Sequence, residues 1–371
     1  MNIQGKILDI MMAAAMLKLL AKKGFNVKEY RKSEDGKWFS EKCKNDFYRP
    51  VGNPDTNEYW LQHGLEVQTF GTNKDWLTFW AAYLPAGYDK QKDRTYPLVF
   101  FNHGKDNPIS TVQSFDILDL AAKEQFIVIT CANLTEHFLM QVYDYVCKNY
   151  PVDISRVYHM GFSMGGHVSA QMGLLHPELF AGIGVASMMT IGEKAEGEIN
   201  GINYPEVVMT EDIIAHAAEL KLPCCIVNGD SEMIRYFPLY DSDLSFVSGD
   251  NMRFTINKDH EYRVFNTMRR LAGCSTITPE ENKIKSMKSS DEVEQKIGAC
   301  FEKTEISMEH GRNYYTGYSI NSKGQCLFTL TAVEGLPHVP SIDLGKRMWN
   351  YLKKFSRDTE TGVLLINGHE D

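Results

Sequence analysis

One short segment limits what this chain can fold into more than any other. Gly161-Phe162-Ser163-Met164-Gly165-Gly166 stands between an apolar run at residues 156–161 and a stretch of helical pattern at 165–175. A glycine two positions on either side of Ser163 lets the backbone turn sharply enough to lift the serine clear of the sheet. A helix that begins at Gly165 then presents free N–H groups and the positive end of its dipole beneath the hydroxyl. Strand, sharp turn and helix in that order require a sheet with helices packed on it. They also leave a hydroxyl at a strand's carboxyl end, where a nucleophile can meet a substrate. A glycine-rich turn with an incidental serine explains neither the pair of glycines nor their placement.

The flanking sequence repeats this rhythm. Residues 65–70 alternate in the strand period, 71–75 (Gly-Thr-Asn-Lys-Asp) are turn chemistry, and 76–84 read as the returning strand of an antiparallel hairpin. An apolar strand at 97–101 closes on Asn102-His103-Gly104, helical periodicity covers 112–123, and a second strand spans 126–130. A helix from Thr135 carries Phe138, Leu139, Val142, Tyr145 and Val146 on one face and ends at Pro151. Beyond Ser163 follow a strand at 181–187, a helix at 211–220 capped by Thr210, and a strand at 224–228. Apolar runs without alternation mark strands buried on both faces. The expected fold is therefore α/β, a mainly parallel twisted sheet flanked by helices with an N-terminal antiparallel hairpin. Residues 275–309 are polar and rich in Lys and Glu, too long for a plain connection, and read as an insertion (about 275–310) before the last strand. Strands return at 314–320 and 326–333, and Met348, Tyr351, Leu352 and Phe355 lie on one face of a final helix. Residues 1–60 are expected as a helical or irregular extension, and 61–360 as the main domain.

With 43% apolar and 23% charged residues, the chain can bury a sizeable core. Its net charge of −9, without a long basic run, excludes nucleic acid or an anionic membrane as the expected principal partner. Residues 3–21 read as an amphipathic helix rather than a signal peptide, because Asp9 interrupts the apolar stretch and Lys18, Lys22 and Lys23 follow it. The eight cysteines lack C-x-x-C spacing and read as free thiols in a reducing compartment, so a cytoplasmic protein is expected. No Cys or His pair has zinc-ligand spacing, and no metal is expected.

A serine hydroxyl is a weak nucleophile and needs a base held by a third group. On a fold of this kind the order along the chain is nucleophile, acid, histidine, each after a strand. Of eleven histidines, His310 and His338 lie late with a strand nearby, and His338 follows its strand through Glu334-Gly335-Leu336-Pro337, a loop able to reach the sheet's carboxyl edge. His167, one turn down the helix from Ser163, is expected to pack, His176 to close that helix, and His103 to be a structural hydrogen-bonding group. Two acids follow strand 224–228, Asp230 and Glu232 in Asn228-Gly229-Asp230-Ser231-Glu232. An oxyanion would be met by the backbone N–H of Met164 and by the Gly104–Lys105 backbone after the first parallel strand.

Residues 83–358 resemble the serine-esterase branch of the α/β-hydrolases that includes polyhydroxybutyrate-depolymerase-like and feruloyl-esterase-like proteins. The resemblance lies in Tyr83-Leu84-Pro85 with Tyr88, Tyr96-Pro97-Leu98-Val99 leading to His103-Gly104, and Asp153-Ile154-Ser155-Arg156-Val157-Tyr158. It continues through the Ser163 segment, Pro177-Glu178-Leu179-Phe180-Ala181-Gly182, Met348-Trp349-Asn350-Tyr351 and Phe355-Ser356-Arg357. In that family the acid stands three residues after a strand-end His-Gly, in G-x-x-D. Here Asn228-Gly229 replaces His-Gly, which puts Glu232 at the acid position, a glutamate for the usual aspartate, with Asp230 as the alternative. The resemblance implies a carboxylic-ester hydrolase with a Ser163, Glu232, His338 triad and an acyl-enzyme intermediate. It implies a small or oligomeric ester as substrate and no cofactor. A serine peptidase of the same fold and a binding protein without turnover are the alternatives. Residues 1–60 and about 275–310 lie outside the resemblance, which leaves the acyl and alcohol groups and the oligomeric state open.

Overall fold

The computed structural model describes residues 26–34, 36–38, 54–71, 77–91, 93–104, 108–189, 191, 195–196, 198–199, 202–203, 209–232, 234–242, 253–254, 260–341 and 343–366. The helix expected over residues 3–21, positions 72–75 of the hairpin turn, Cys43 and Lys105 lie outside them.

After helix α1 (Pro54–Gln62), strands β1 (Leu65–Phe70) and β2 (Trp80–Pro85) pair antiparallel, with Leu65 opposite Pro85 and Phe70 opposite Trp80. Then come β3 (Tyr96–Asn102), α2 (Pro108–Ser114), α3 (Ile117–Glu124), β4 (Ile127–Cys131), α4 (Glu136–Asn149), β5 (Val152–Phe162), α5 (Met164–Leu175) and β6 (Gly182–Ala186). The second half holds α6 (Glu211–Leu220), β7 (Cys224–Gly229), α7 (His260–Leu271), α8 (Pro279–Lys288), α9 (Glu292–Ile297), β8 (Lys303–Glu309), β9 (Arg312–Ile320), β10 (Cys326–Val333), α10 (Leu344–Leu352), β11 (Phe355–Arg357) and β12 (Leu364–Ile366). The main sheet has ten strands in the order β1-β2-β4-β3-β5-β6-β7-β10-β9-β8. Strands β4, β3, β5, β6, β7 and β10 run parallel, and the antiparallel pairs lie toward the two edges.

Alternation along each strand divides the core between two layers. Val99 and Phe101 of β3 enter one layer, with Ile117 and Leu118 of α3 and Leu344, Met348 and Leu352 of α10. Leu98 and Phe100 enter the other, where α4 supplies Leu139, Val142 and Val146. Burying each such side chain stabilises the fold by about 1.5–3 kcal/mol. Helices on both faces leave the strands' carboxyl ends open, and in such sheets a crevice at that edge is where ligands meet residues from several strands.

Two expectations change. The single helix expected over 112–123 is two helices, α2 and α3, with Asp116 left-handed (φ 53°) at the break. Phe115 at that break is fully buried, its ring 5.2 Å from Phe101 and 5.1 Å from Phe162, and this core contact overrides the helical period. The polar segment expected as an insertion contains α8 and α9 and then ends in the edge strand β8 of the main sheet, so part of it is integral to the sheet. Arg269 of α7, almost fully buried, holds Glu302 before β8 through both guanidinium arms.

At the amino ends of β6 and β7, Arg357 is buried and donates to the carbonyls of Phe180, Leu220, Lys221 and Gly362. Burial lowers its pKa to about 10, so it remains a cation at neutral pH, held by carbonyl dipoles. The described cysteines, Cys131, Cys147, Cys224, Cys225, Cys274, Cys300 and Cys326, are free thiols. Among the described residues no helix is long and apolar enough to cross a membrane.

Candidate active site

Ser163 joins β5 to α5 with φ 56° and ψ −123°, a conformation that costs a residue with a side chain about 1–3 kcal/mol and persists only where its surroundings impose it. Here they do. Ser163 N–H donates to the Ala186 carbonyl at 2.9 Å, and the Ser163 carbonyl accepts from Gly166 N–H at 2.9 Å and His167 N–H at 3.2 Å. A Cβ on Gly161 would lie 2.2 Å from the Gly165 carbonyl, and one on Gly165 would lie 2.2 Å from the Asn102 carbonyl oxygen. The two glycines therefore permit the turn to sit tightly against the end of β3.

Beneath the turn, Asn102 Nδ2 donates to Ser169 Oγ (3.1 Å), which donates to the Gly165 carbonyl (2.9 Å). Asn102 Nδ2 also donates to His159 Nδ1 (2.8 Å), which fixes the proton of that imidazole on Nε2. His159 is fully buried, stacked on Phe100 at 5.0 Å and edge-on to Phe180 at 4.8 Å. Burial drives its pKa down to about 3, so it is a neutral strut.

Long loops bring the partners of Ser163. His338, on the loop after β10, has Nε2 2.9 Å from Ser163 Oγ and Nδ1 2.9 Å from Glu232 Oε2. The other Glu232 oxygen accepts the Gly229 N–H at 2.8 Å. The carboxylate is sealed from solvent and the imidazole is 5% exposed, with Phe162 at 4.9 Å. A buried carboxylate on Nδ1–H holds Nε2 as the acceptor facing the hydroxyl.

Asp230 is engaged elsewhere. Its carboxylate meets Lys296 Nζ of α9 at 2.6 Å and accepts the Gly335 N–H at 2.6 Å and the Ser231 hydroxyl at 3.0 Å. Of the two acids in this loop, the one beside His338 is Glu232.

Met164 opens α5, where the first N–H groups have no partner within the helix. Gly104 is buried at the end of β3, and Lys105 lies outside the described residues. His103 is buried and donates from Nε2 to the Ala132 carbonyl at 3.1 Å. His167 is buried in α5, and His176 ends α5 with Nε2 2.9 Å from Glu136. His310 lies between Asp343 (2.6 Å) and Glu34 (3.3 Å), away from Ser163. Among the described residues no group of three or more His, Cys, Asp or Glu side chains is placed to hold a metal ion.

Sequence reasoning missed the supports. Asn102 and His159 lie 57 residues apart, and neither belongs to a recognisable motif. Asn228 Oδ1 accepts the Met188 N–H at 3.0 Å, and Tyr236 OH donates to the Ser187 carbonyl at 3.3 Å, which ties the loop after β6 to β7 and to the loop that follows β7. A polar side chain at the end of an apolar strand was the available signal for Asn102 and Asn228.

No family model matches the sequence, and no curated protein does. Among solved structures, the chain is similar to an acetyl xylan esterase from Aspergillus awamori at 14% identity, covering 78% of this chain and 99% of that one, with a TM-score of 0.46. It is similar to a ferulic acid esterase at 19% identity over 45% of this chain and 79% of that one, TM-score 0.35. An S-formylglutathione hydrolase from Staphylococcus aureus shares 16% identity over 46% of this chain and 78% of that one, TM-score 0.35. The chain's own strand order, with a strained serine between β5 and α5, defines the α/β-hydrolase fold.

Proposed function

We propose that this protein is a serine hydrolase that cleaves carboxylic esters through an acyl-enzyme. The observation that carries the reading is the relay Ser163 Oγ, His338 Nε2, His338 Nδ1, Glu232 Oε2, with both contacts at 2.9 Å and the serine at the start of α5. The relay supports acyl transfer in general, and the choice of ester follows from the family resemblance of residues 83–358.

In the first step His338 Nε2 takes the Ser163 proton as Oγ attacks the ester carbonyl, and the imidazolium that forms is stabilised by Glu232. The tetrahedral oxyanion is met by the Met164 N–H and the Gly104–Lys105 backbone. His338 then returns the proton to the departing alkoxide as the C–O bond breaks, which leaves the acyl group on Ser163. Water, deprotonated by His338, attacks that acyl group and releases the acid, and the proton returns to Ser163. The chain's groups supply every proton acceptor and donor in this sequence, and a small or oligomeric ester is the substrate class. Free cysteines fit a reducing compartment, and cytoplasmic residence is part of the proposal.

Labelling with a fluorophosphonate probe tests the nucleophile, with one adduct expected, on Ser163. Turnover of short p-nitrophenyl esters but not of aminoacyl amides is expected. The reverse preference would make it a peptidase, and absence of both labelling and turnover would make it a binding protein of this fold.

A further inference from the structure

We infer that Lys296 of α9 is a positioning residue for His338, acting through Asp230 on the loop that carries the histidine. The inference rests on the serine-hydrolase reading above and adds a residue from a part of the chain that lies outside the family resemblance.

The loops after β7 and β10 carry Glu232 and His338, and they are laced together. Asp230 N–H donates to the Val333 carbonyl at 3.0 Å, and Ser231 N–H donates to the Leu336 carbonyl at 3.2 Å. A Cβ on Gly229 would stand 1.9 Å from the Leu336 carbonyl oxygen, so the two backbones are in direct contact. Across this seam reaches the Asp230 side chain, whose Oδ1 accepts the N–H of Gly335, a left-handed residue (φ 62°) three positions before His338. Its Oδ2 faces Lys296 Nζ at 2.6 Å. The Asp230 side chain is 15% exposed and that of Lys296 31% exposed, so the pair is largely shielded from solvent. Burial opposes the charge on Lys296, but the hydrogen bond and charge of Asp230 outweigh it and raise its pKa, so the lysine stays ionised.

Lys296 is itself held firmly. Asp291 caps α9 by accepting from Val293 and Glu294 N–H, Gly298 closes the helix, and Val293 and Ile297 are buried. The Lys296 ammonium also lies 5.4 Å from the Tyr315 ring centroid on β9. The rigid helix thus supplies the counter-charge for a carboxylate that anchors the histidine loop. Without it, a shielded Asp230 would turn toward water and draw Gly335 with it. A misplacement of an ångström at a reacting pair costs about a hundredfold in rate, so a shift of a few tenths at His338 is measurable.

The test uses the full chain with p-nitrophenyl acetate. Lys296→Met should lower kcat about tenfold with KM within about twofold of wild type, and the rate of fluorophosphonate labelling should fall by the same factor. Lys296→Arg, which keeps a cation in reach, should recover most of the loss. Lys285→Met, which removes an exposed pair with Glu281 on α8, should change neither rate. Combining Asp230→Asn with Lys296→Met should cost no more than Lys296→Met alone, because both act through one tie. Wild-type rates in Lys296→Met, a loss that appears in KM, or a loss that arginine does not recover would overturn the inference. If Lys296→Met does not fold by circular dichroism, Lys296→Gln carries the same outcomes. Ser163→Ala separates the two readings. An inactive Ser163→Ala beside an unaffected Lys296→Met sinks only the positioning role, whereas an active Ser163→Ala sinks the serine-hydrolase reading as well.

Discussion

The two halves of the site are built by different means. The serine half is local and steric: its turn spans a few residues, and its geometry is imposed by glycines packed so closely that a Cβ on either would stand 2.2 Å from backbone. The histidine–acid half is assembled across 106 residues of sequence, and beside one close backbone contact at Gly229 it depends on hydrogen bonds and one ion pair to hold two loops in register. A steric device tolerates no larger atom but needs no charge, whereas an electrostatic one tolerates changes of shape and fails when a charge is removed. Substitutions in the two halves should therefore fail in different ways.

The largest effect is expected at the serine. Ser163→Ala should lower ester turnover by about 10⁴-fold or more while leaving the thermal midpoint at or above that of wild type, since the hydroxyl contributes little to packing. His338→Ala should be about as damaging, and the double variant hardly worse than either alone. Activity within tenfold of wild type in Ser163→Ala would remove the basis of the comparison.

Next comes the charge-only substitution in the other half. Glu232→Gln should lower kcat about 10²–10⁴-fold with the fold retained, whereas Asp230→Asn should lose about tenfold, as Lys296→Met does. A large loss at Asp230 and a small one at Glu232 would mean that the loops rearrange in solution. Gly165→Ala probes the serine half in its own terms. It should cost about 2–3 kcal/mol of stability, read as a lowered denaturant midpoint, because the added methyl meets the Asn102 and His103 carbonyls rather than a movable side chain.

The smallest effect concerns acid. His159 has a folded pKa of about 3, below its unfolded value of about 6.5. Between those values the unfolded chain binds a proton that the folded chain refuses, so stability is lost as pH falls through that window. At about pH 5 the contribution is on the order of 2 kcal/mol. His159→Gln, which keeps an acceptor for Asn102, should show a smaller drop in thermal midpoint between neutral pH and pH 5 than wild type does. An equal drop would move the acid sensitivity to another group.

The same division accounts for what the sequence makes legible. The strand–turn–helix at Ser163 is readable because its cause is local, and so are the apolar runs that become β3 to β7 and the Thr210 cap of α6. Chain order narrowed the histidine to His310 and His338, and the reach of the loop after strand 326–333 favoured His338. Between Asp230 and Glu232 the residues alone left both open, and the glycine spacing of the resembling family favoured Glu232. The geometry that separates them depends on Lys296 and Gly335, 66 and 105 residues away from Asp230, and no periodicity carries that. The roles of His159 and Tyr236 were invisible for the same reason, as was the break at Phe115, where a long-range core contact interrupts a good helical pattern, and Asn102 offered only its place at a strand end.

Arg357 makes closure of the rim at the amino ends of β6 and β7 a late event in synthesis. Its guanidinium serves carbonyls at residues 180, 220 and 221, all of them made well before it. Until the ribosome has released residue 357, those oxygens lack their buried donor, at about 1–3 kcal/mol for each one kept from water. A nascent chain stalled a few residues short should therefore hold its serine turn without a closed lower rim and stay open to protease there. Full resistance there would arrive only once residue 357 has emerged, so the rim closes after the residues of the serine turn are already in place.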